Sequence, residues 1–177
     1  MDAYRAGHRE ADAMFDTAQS KFLGELGATP QEIFDFVEDT FYGGEPGFET
    51  TLLITAARRE YFLSVQAGKR SGRVIDMDKL PPKSARLEGI EWLPRIIEKA
   101  RVKLRGEMPP DLMYCCGGDR DFLREHGIHP ADFLREVWAA GEDVQRILNF
   151  VRKSAAGRPR DLPPAVCQIL PGGRVKC

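Results

Sequence analysis

Two thiols, two glycines and a carboxylate stand in a row at Cys115-Cys116-Gly117-Gly118-Asp119. Four readings fit that run. The first is a reactive thiol. A cysteine just ahead of a helix has its thiolate favoured by the helix dipole and by nearby cations, and Arg120 and Arg124 follow closely. Cys116 is then the candidate nucleophile or redox thiol, with Cys115 as a candidate partner. Asp119 reads as the N-cap of the following helix and works against a thiolate there. There is no Cys-x-x-Cys, and no His–Asp pairing shows in the spacing. The competing reading is a cysteine that only fills space in a core.

The second reading is an anion cradle. Gly117 and Gly118 open a helix, where free backbone N–H groups suit phosphate or carboxylate. Arg95, Lys99 or Arg120 would complete such a pocket. The P-loop spacing Gly-x-x-x-x-Gly-Lys-Ser/Thr is missing. The third is a metal site of Cys115, Cys116, His126 and His129. Those are suitable zinc ligands, but adjacent cysteines seldom reach one tetrahedral ion, so neither a metal nor a cofactor is expected. The fourth is a turn in which a glycine takes positive φ.

Two further constellations have plainer readings. Glu32, Asp35, Glu38 and Asp39 resemble a carboxylate cluster. Without a Glu-x-x-His they read as an acidic solvated face. The segments 121–126 and 130–140 flank a glycine turn, as in helix-turn-helix proteins. The second offers Asp132, Arg135 and Glu136, a balance that repels phosphate as much as it attracts it, so nucleic acid is not expected.

The elements that position these residues are helical. An apolar stripe of Ala11, Met14, Phe15, Ala18, Phe22 and Leu26 predicts one helix over about 3–26, stopped by Gly27. Thr29-Pro30-Gln31-Glu32 is a capping box with proline at the first helical position. Ile33, Phe34, Val37 and Phe41 supply its buried face. A third helix runs over about 48–67, on Leu53, Ile54, Ala57, Tyr61, Phe62 and Val65. Residues 71–89 contain Leu80-Pro81-Pro82, which cannot be helix interior. The fourth helix spans about 90–105, with Leu93, Ile96, Ile97, Ala100 and Leu104 inward and Arg95, Lys99, Arg101, Lys103 and Arg105 outward. Short helices follow near 120–126, 130–140 and 142–153. The tail 155–177 is rich in Pro, Gly and Arg and is expected to be flexible.

The fold class is therefore all-α, about seven helices in two packed units, 1–70 and 90–154, joined by the connector 71–89. With 177 residues the chain can bury a core unaided. No apolar run approaches a membrane span, no signal peptide opens the sequence, and the cytoplasm is the expected compartment. The formal charge of -1 hides a split: -7 over residues 1–66 and +6 over 67–177. That split suggests halves that dock on each other, or a basic face for an acidic partner.

Part of the second unit resembles a bacterial family known as domain of unknown function 5069. The residues that carry the resemblance are Pro81-Pro82, the run Gly89-Ile90-Glu91-Trp92-Leu93-Pro94-Arg95-Ile96-Ile97-Glu98-Lys99-Ala100-Arg101, Gly106, Cys116, Asp119, Phe122-Leu123 and Gly127-Ile128. It covers about 79–151. Members often have Cys-Pro-Leu-Asp where this chain has Cys116-Gly117-Gly118-Asp119. Phe34-Asp35-Phe36-Val37-Glu38-Asp39 and Tyr61-Phe62-Leu63 resemble an extension found on some members. The resemblance implies a small helical bacterial protein and imports no activity. The functional expectation is a small-molecule or anion site at the Cys115–Asp119 loop, possible catalysis resting on Cys116 and Asp119, with Arg95, Lys99, Gly117, Gly118 and Arg120 binding. The alternative is a non-catalytic module that takes an acidic protein partner, or self-associates, through the basic face.

Overall fold

Helix ends sit where capping residues and glycines place them. In the computed structural model, which describes residues 1–157 and the backbone of a short strand pair at Gln168–Ile169 and Val175–Lys176, the chain is predominantly α-helical. The described residues form nine α-helices: α1 Asp2–Arg5, α2 Ala11–Met14, α3 Thr17–Glu25, α4 Pro30–Gly43, α5 Gly47–Ser64, α6 Leu93–Arg105, α7 Gly117–Glu125, α8 Pro130–Ala140 and α9 Val144–Ala156. The capping box at Thr29 forms as expected, with Glu32 N–H donating to Thr29 Oγ1 at 3.2 Å and Thr29 N–H to Glu32 Oε2 at 2.9 Å.

Three expectations are corrected. The single helix over 3–26 is three short ones. Gly7 takes φ 103°, and Asp16 starts a new helix by accepting from Gln19 N–H, so local capping outweighs the longer apolar stripe. Residues 90–91 are extended rather than helical. β1 Arg86–Leu87 pairs antiparallel with β2 Ile90–Glu91 around a Glu88-Gly89 turn in which both residues have positive φ. Ala155 and Ala156 belong to α9, not to a flexible tail. The rest of that tail, Cys167 and Cys177 included, lies outside the described residues except for the two strands.

The main core draws on both sides of the 71–89 connector. Phe36, Ile54 and Ala57 meet Ile96, Ile97, Ala100, Leu134, Ile147 and Leu148 there. Helix α5 packs on α6 and α8, α6 on α8, and α8 on α9. A smaller cluster of Tyr4, Ala11 and Phe34 anchors the N-terminal helices to α4, where Tyr4 Oη donates to Glu38 at 2.9 Å.

The two oppositely charged halves meet through ion pairs. Lys103 reaches Glu32 at 2.8 Å, Arg120 reaches Asp39 at 2.7 Å, Arg124 reaches Glu45 at 2.6 Å and Arg135 reaches Glu60 at 3.3 Å. Asp35 lies beside the first of these. Burial pushes its carboxyl up to about 6 from the usual 3.8, with Glu38 and Glu32 adding to the rise and the Gln31 hydrogen bond and Lys103 opposing it. A raised carboxyl binds its proton more tightly in the folded state. Its stability is thus fully present below about pH 4 and is lost as pH rises through about 6. Asp35→Asn keeps an acceptor for Gln31 and removes the charge. After allowance for solvent screening it should stabilise the protein by about 1 kcal/mol at neutral pH. Urea unfolding at pH 7 and pH 4 checks this, because the gain should vanish at the lower pH.

Candidate functional site

Helix α6 begins at an unusual cap. Trp92 takes the left-handed conformation, φ 69°, and its N–H donates to Ala85 O at 3.2 Å across the β1–β2 hairpin. That conformation turns the indole toward α7. Helix α7 begins at Gly117, and its N-cap is Cys116. Asp119, expected in that place, sits three residues later with no exposed surface. The reason is competition for its oxygens. Trp92 Nε1 donates to Asp119 Oδ1 at 2.9 Å, Cys115 N–H donates to Oδ2 at 2.9 Å, and the Lys99 ammonium pairs with Oδ2 as well. Three inward donors outweigh a cap facing solvent.

Lys99 and Lys103 were expected on the exposed face of α6. Each is only 2% exposed. They extend the apolar stripe along its flank, because Ile96, Lys99 and Lys103 are spaced i, i+3, i+7 on one side of the helix. A buried ammonium needs a close counter-charge, and Asp119 and Glu32 supply one each. Lys99 also touches the thiol, with Nζ donating to Cys116 Sγ at 3.2 Å. Cys116 is partly exposed while its neighbour Cys115 is fully buried. Burial pushes the Cys115 thiol up to about 12 from 9.0, with Asp119 and Cys116 adding to the rise against Arg120 and Lys99. Cys115 is a packing thiol.

The positive φ foreseen for a glycine falls instead on Cys115, at 70°. That geometry aims its N–H at Asp119. Trp92 and Cys115, both left-handed without being glycine, thus donate to the same carboxylate. The two glycines differ in role. A Cβ on Gly118 would lie 2.7 Å from Trp92 Cζ2, whereas one on Gly117 would come no nearer than 3.9 Å to Arg120. Gly118 is required by the close approach of the indole, and Gly117 stands in open space.

The remaining candidate residues are engaged elsewhere. Arg95 donates to Pro81 O at 2.7 Å, toward the connector. Arg120 donates to Asp39 Oδ2 and to Cys115 O, both at 2.7 Å, and so ties the loop to α4. His126 Nδ1 lies 2.8 Å from Phe122 O, and His129 caps α8 by accepting from Ala131 N–H at 3.2 Å. Among the described residues no group of three His, Cys, Asp or Glu could hold a metal ion. Arg120, just past the loop, lines a groove of about 200 Å³ with Glu45, Thr50, Arg124 and His129, and none of residues 115–119 lines it. The structure therefore brings together Lys99, Cys116, Gly118 and Asp119, and leaves Arg95 apart. Trp92 and Asp39 are the residues that sequence reasoning missed. No local pattern marks a tryptophan as a left-handed cap, and Asp39 was absorbed in the acidic face of α4.

All of Trp92, Lys99, Cys115, Cys116 and Asp119 lie in one stretch that compares with a known family. Residues 79–162 match the family described as Domain of unknown function (DUF5069). The DUF5069 segment contains the hairpin and α6 to α9, and hence the whole lysine–carboxylate–thiol cluster. Asp39 and Glu32, which pair with Arg120 and Lys103 of the segment, lie outside it. No curated protein and no solved structure matches the chain. No helix of the described residues is long and apolar enough to cross a membrane.

Proposed function

We propose that the Cys115–Asp119 loop binds a small molecule in a thiol-dependent way, with Cys116 as the contacting group. The observation that carries this reading is the 3.2 Å contact between the buried Lys99 ammonium and the sulfur of Cys116, a residue only partly buried. A fixed cation beside a reachable thiol is the environment in which cysteine chemistry is selective. Trp92 and the Cys115 amide hold the Asp119 carboxylate, which in turn holds Lys99, so the arrangement is preorganised. Cys116 is the N-cap of α7 and no side chain caps that helix start, whose backbone donors suit a ligand carrying a carboxylate or phosphate. A reducing compartment such as the cytoplasm would keep the thiol free, and Cys115 and Cys116 are both unpaired.

The basic-face alternative has less support. Lys99 and Lys103 are buried in pairs, Arg101 reaches Glu98 and Glu142, and Arg105 reaches Glu98 and Glu107. The cations expected to meet an acidic partner thus have partners within the chain.

Alkylation with iodoacetamide, resolved by peptide at several pH values, tests the thiol reading. Cys116 should react at least about tenfold faster than Cys115. Equal rates would remove the thiol from the proposal. Inorganic phosphate should slow the Cys116 reaction if the α7 amides hold an anion beside the sulfur, and an unaltered rate would remove the anion. Cys116→Ser is the matching fold control. Serine is a favoured N-cap and its hydroxyl can still accept from Lys99, so stability should stay within about 1 kcal/mol of the parent. Thermal unfolding measures that.

A further inference from the structure

We propose that Cys116 and Lys99 close a reversible covalent bridge when the thiol meets a hydroperoxide. The inference shares with the ligand reading its reliance on an accessible Cys116, but its readout needs no ligand.

The geometry supplies both partners at contact distance. Lys99 Nζ stands 3.2 Å from Cys116 Sγ, and the lysine is 2% exposed, held against Asp119. The nitrogen is therefore confined next to the sulfur. Cys116 is a partly buried residue at the start of α7, and the bridge requires a small oxidant to reach its sulfur. Cys115, the nearest thiol in sequence, is fully buried and held as a neutral thiol, which makes it a poor competitor for an oxidised Cys116.

The chemistry balances in two steps. In the first, Cys116 sulfur attacks the outer oxygen of the hydroperoxide. An S–O bond forms, the O–O bond breaks, and the alcohol (water, for hydrogen peroxide) leaves with the thiol proton. Sulfur is oxidised by two electrons to the sulfenic acid and the hydroperoxide is reduced by the same two. In the second, the Lys99 ammonium passes one proton to Asp119, and the neutral amine attacks the sulfenic sulfur. An S–N bond forms and the S–O bond breaks. The hydroxyl leaves as water with a second proton from nitrogen. The product lacks two hydrogens relative to the free thiol and amine. Two equivalents of a thiol reverse it, cleaving S–N and regenerating both side chains. Asp119 is thus the proton acceptor of the second step, a role its pairing with Lys99 permits without rearrangement. The bridge would spare Cys116 from further oxidation to sulfinic acid.

Full-length protein treated with hydrogen peroxide and analysed by intact mass and peptide mapping tests the bridge. The expected product is lighter by two hydrogens, joins the peptide of Lys99 to that of Cys116, and reverts with dithiothreitol. Lys99→Arg keeps a cation against Asp119 but removes the amine, and should send Cys116 on to sulfinic acid. Should that variant not fold, the peptide map of the parent protein decides alone. A two-hydrogen loss that maps to a disulfide between cysteines overturns the proposal. So does sulfinic acid formed at the same rate with Lys99 and with arginine. Either result is separate from the ligand reading, which stands or falls on the alkylation rates.

Discussion

Lys99→Met is expected to cost about 3–5 kcal/mol of stability, because it leaves the Asp119 carboxylate buried without its counter-charge. Asp119 has no exposed surface, so water cannot replace the ammonium. The variant should show a lower urea midpoint with an unchanged slope. A second substitution separates charge from hydrogen bonding. In Lys99→Met with Asp119→Asn both charges are gone, while an amide oxygen remains to accept from the Trp92 indole or the Cys115 amide. Most of the loss should return. In Lys99→Met with Asp119→Leu the charges are gone too, but Trp92 Nε1 and Cys115 N–H then lose their acceptor, each at about 1–3 kcal/mol when buried. Full recovery with leucine would mean that the carboxylate matters only as a counter-ion. Recovery with asparagine alone would show that it also anchors the two left-handed residues.

Gly118→Ala should cost about 2–3 kcal/mol, while Gly117→Ala should be neutral or slightly stabilising. The argument is steric. The added methyl at 118 would lie 2.7 and 2.8 Å from Cζ2 and Cη2 of Trp92, below any contact that carbon atoms tolerate. The indole cannot swing freely aside, because its N–H is bonded to Asp119 and its backbone is fixed in the cap of α6. Overpacking of this kind is relieved by shifting the helix or breaking the bond, within the range seen for crowded cores. At 117 the same methyl meets nothing nearer than 3.9 Å, and alanine is the better helix former. Thermal melts of the two variants make a direct pair. The double variant Gly118→Ala with Trp92→Phe should lose less than the two single losses summed, since the smaller ring vacates the space. Equal effects at 117 and 118 would contradict the assignment of the close contact.

Much of the helical frame was legible because its ends are written in strong local signals. The capping box at Thr29, the proline opening α8 and the glycine closing α6 all sit where they were read. The N-terminal segment misled because its apolar stripe continues through Gly7 and Asp16, where conformational freedom and a capping carboxylate break the helix. The hairpin at 86–91 hid in a stretch too short for periodicity, with only the Glu88-Gly89 turn to mark it.

The candidate site was legible as a place and not as an arrangement. Lys99 contacts both Cys116 and Asp119, and Gly118 lies between them in sequence. Their roles depend on a lysine that sequence alone puts on the surface, since lysine is among the residues least often fully buried. The signal was present in the row Ile96, Lys99, Lys103, but charge argued the other way. Trp92 joins the cluster through a backbone conformation that nothing in its neighbours dictates.

The contacts of Arg120 and Lys103 bear on how the molecule can be divided. Residues 79–162, excised on their own, would carry Lys103 without Glu32 and Arg120 without Asp39, and would leave the core without Ile54 and Ala57. Arg120 is also the donor to the Cys115 carbonyl, so the shape of the thiol loop is tied to a residue on α4, outside the excised piece. A recombinant fragment cut at the borders of the family match would therefore misreport the reactivity of Cys116. The border of the family match thus runs through ion pairs and core contacts of the fold.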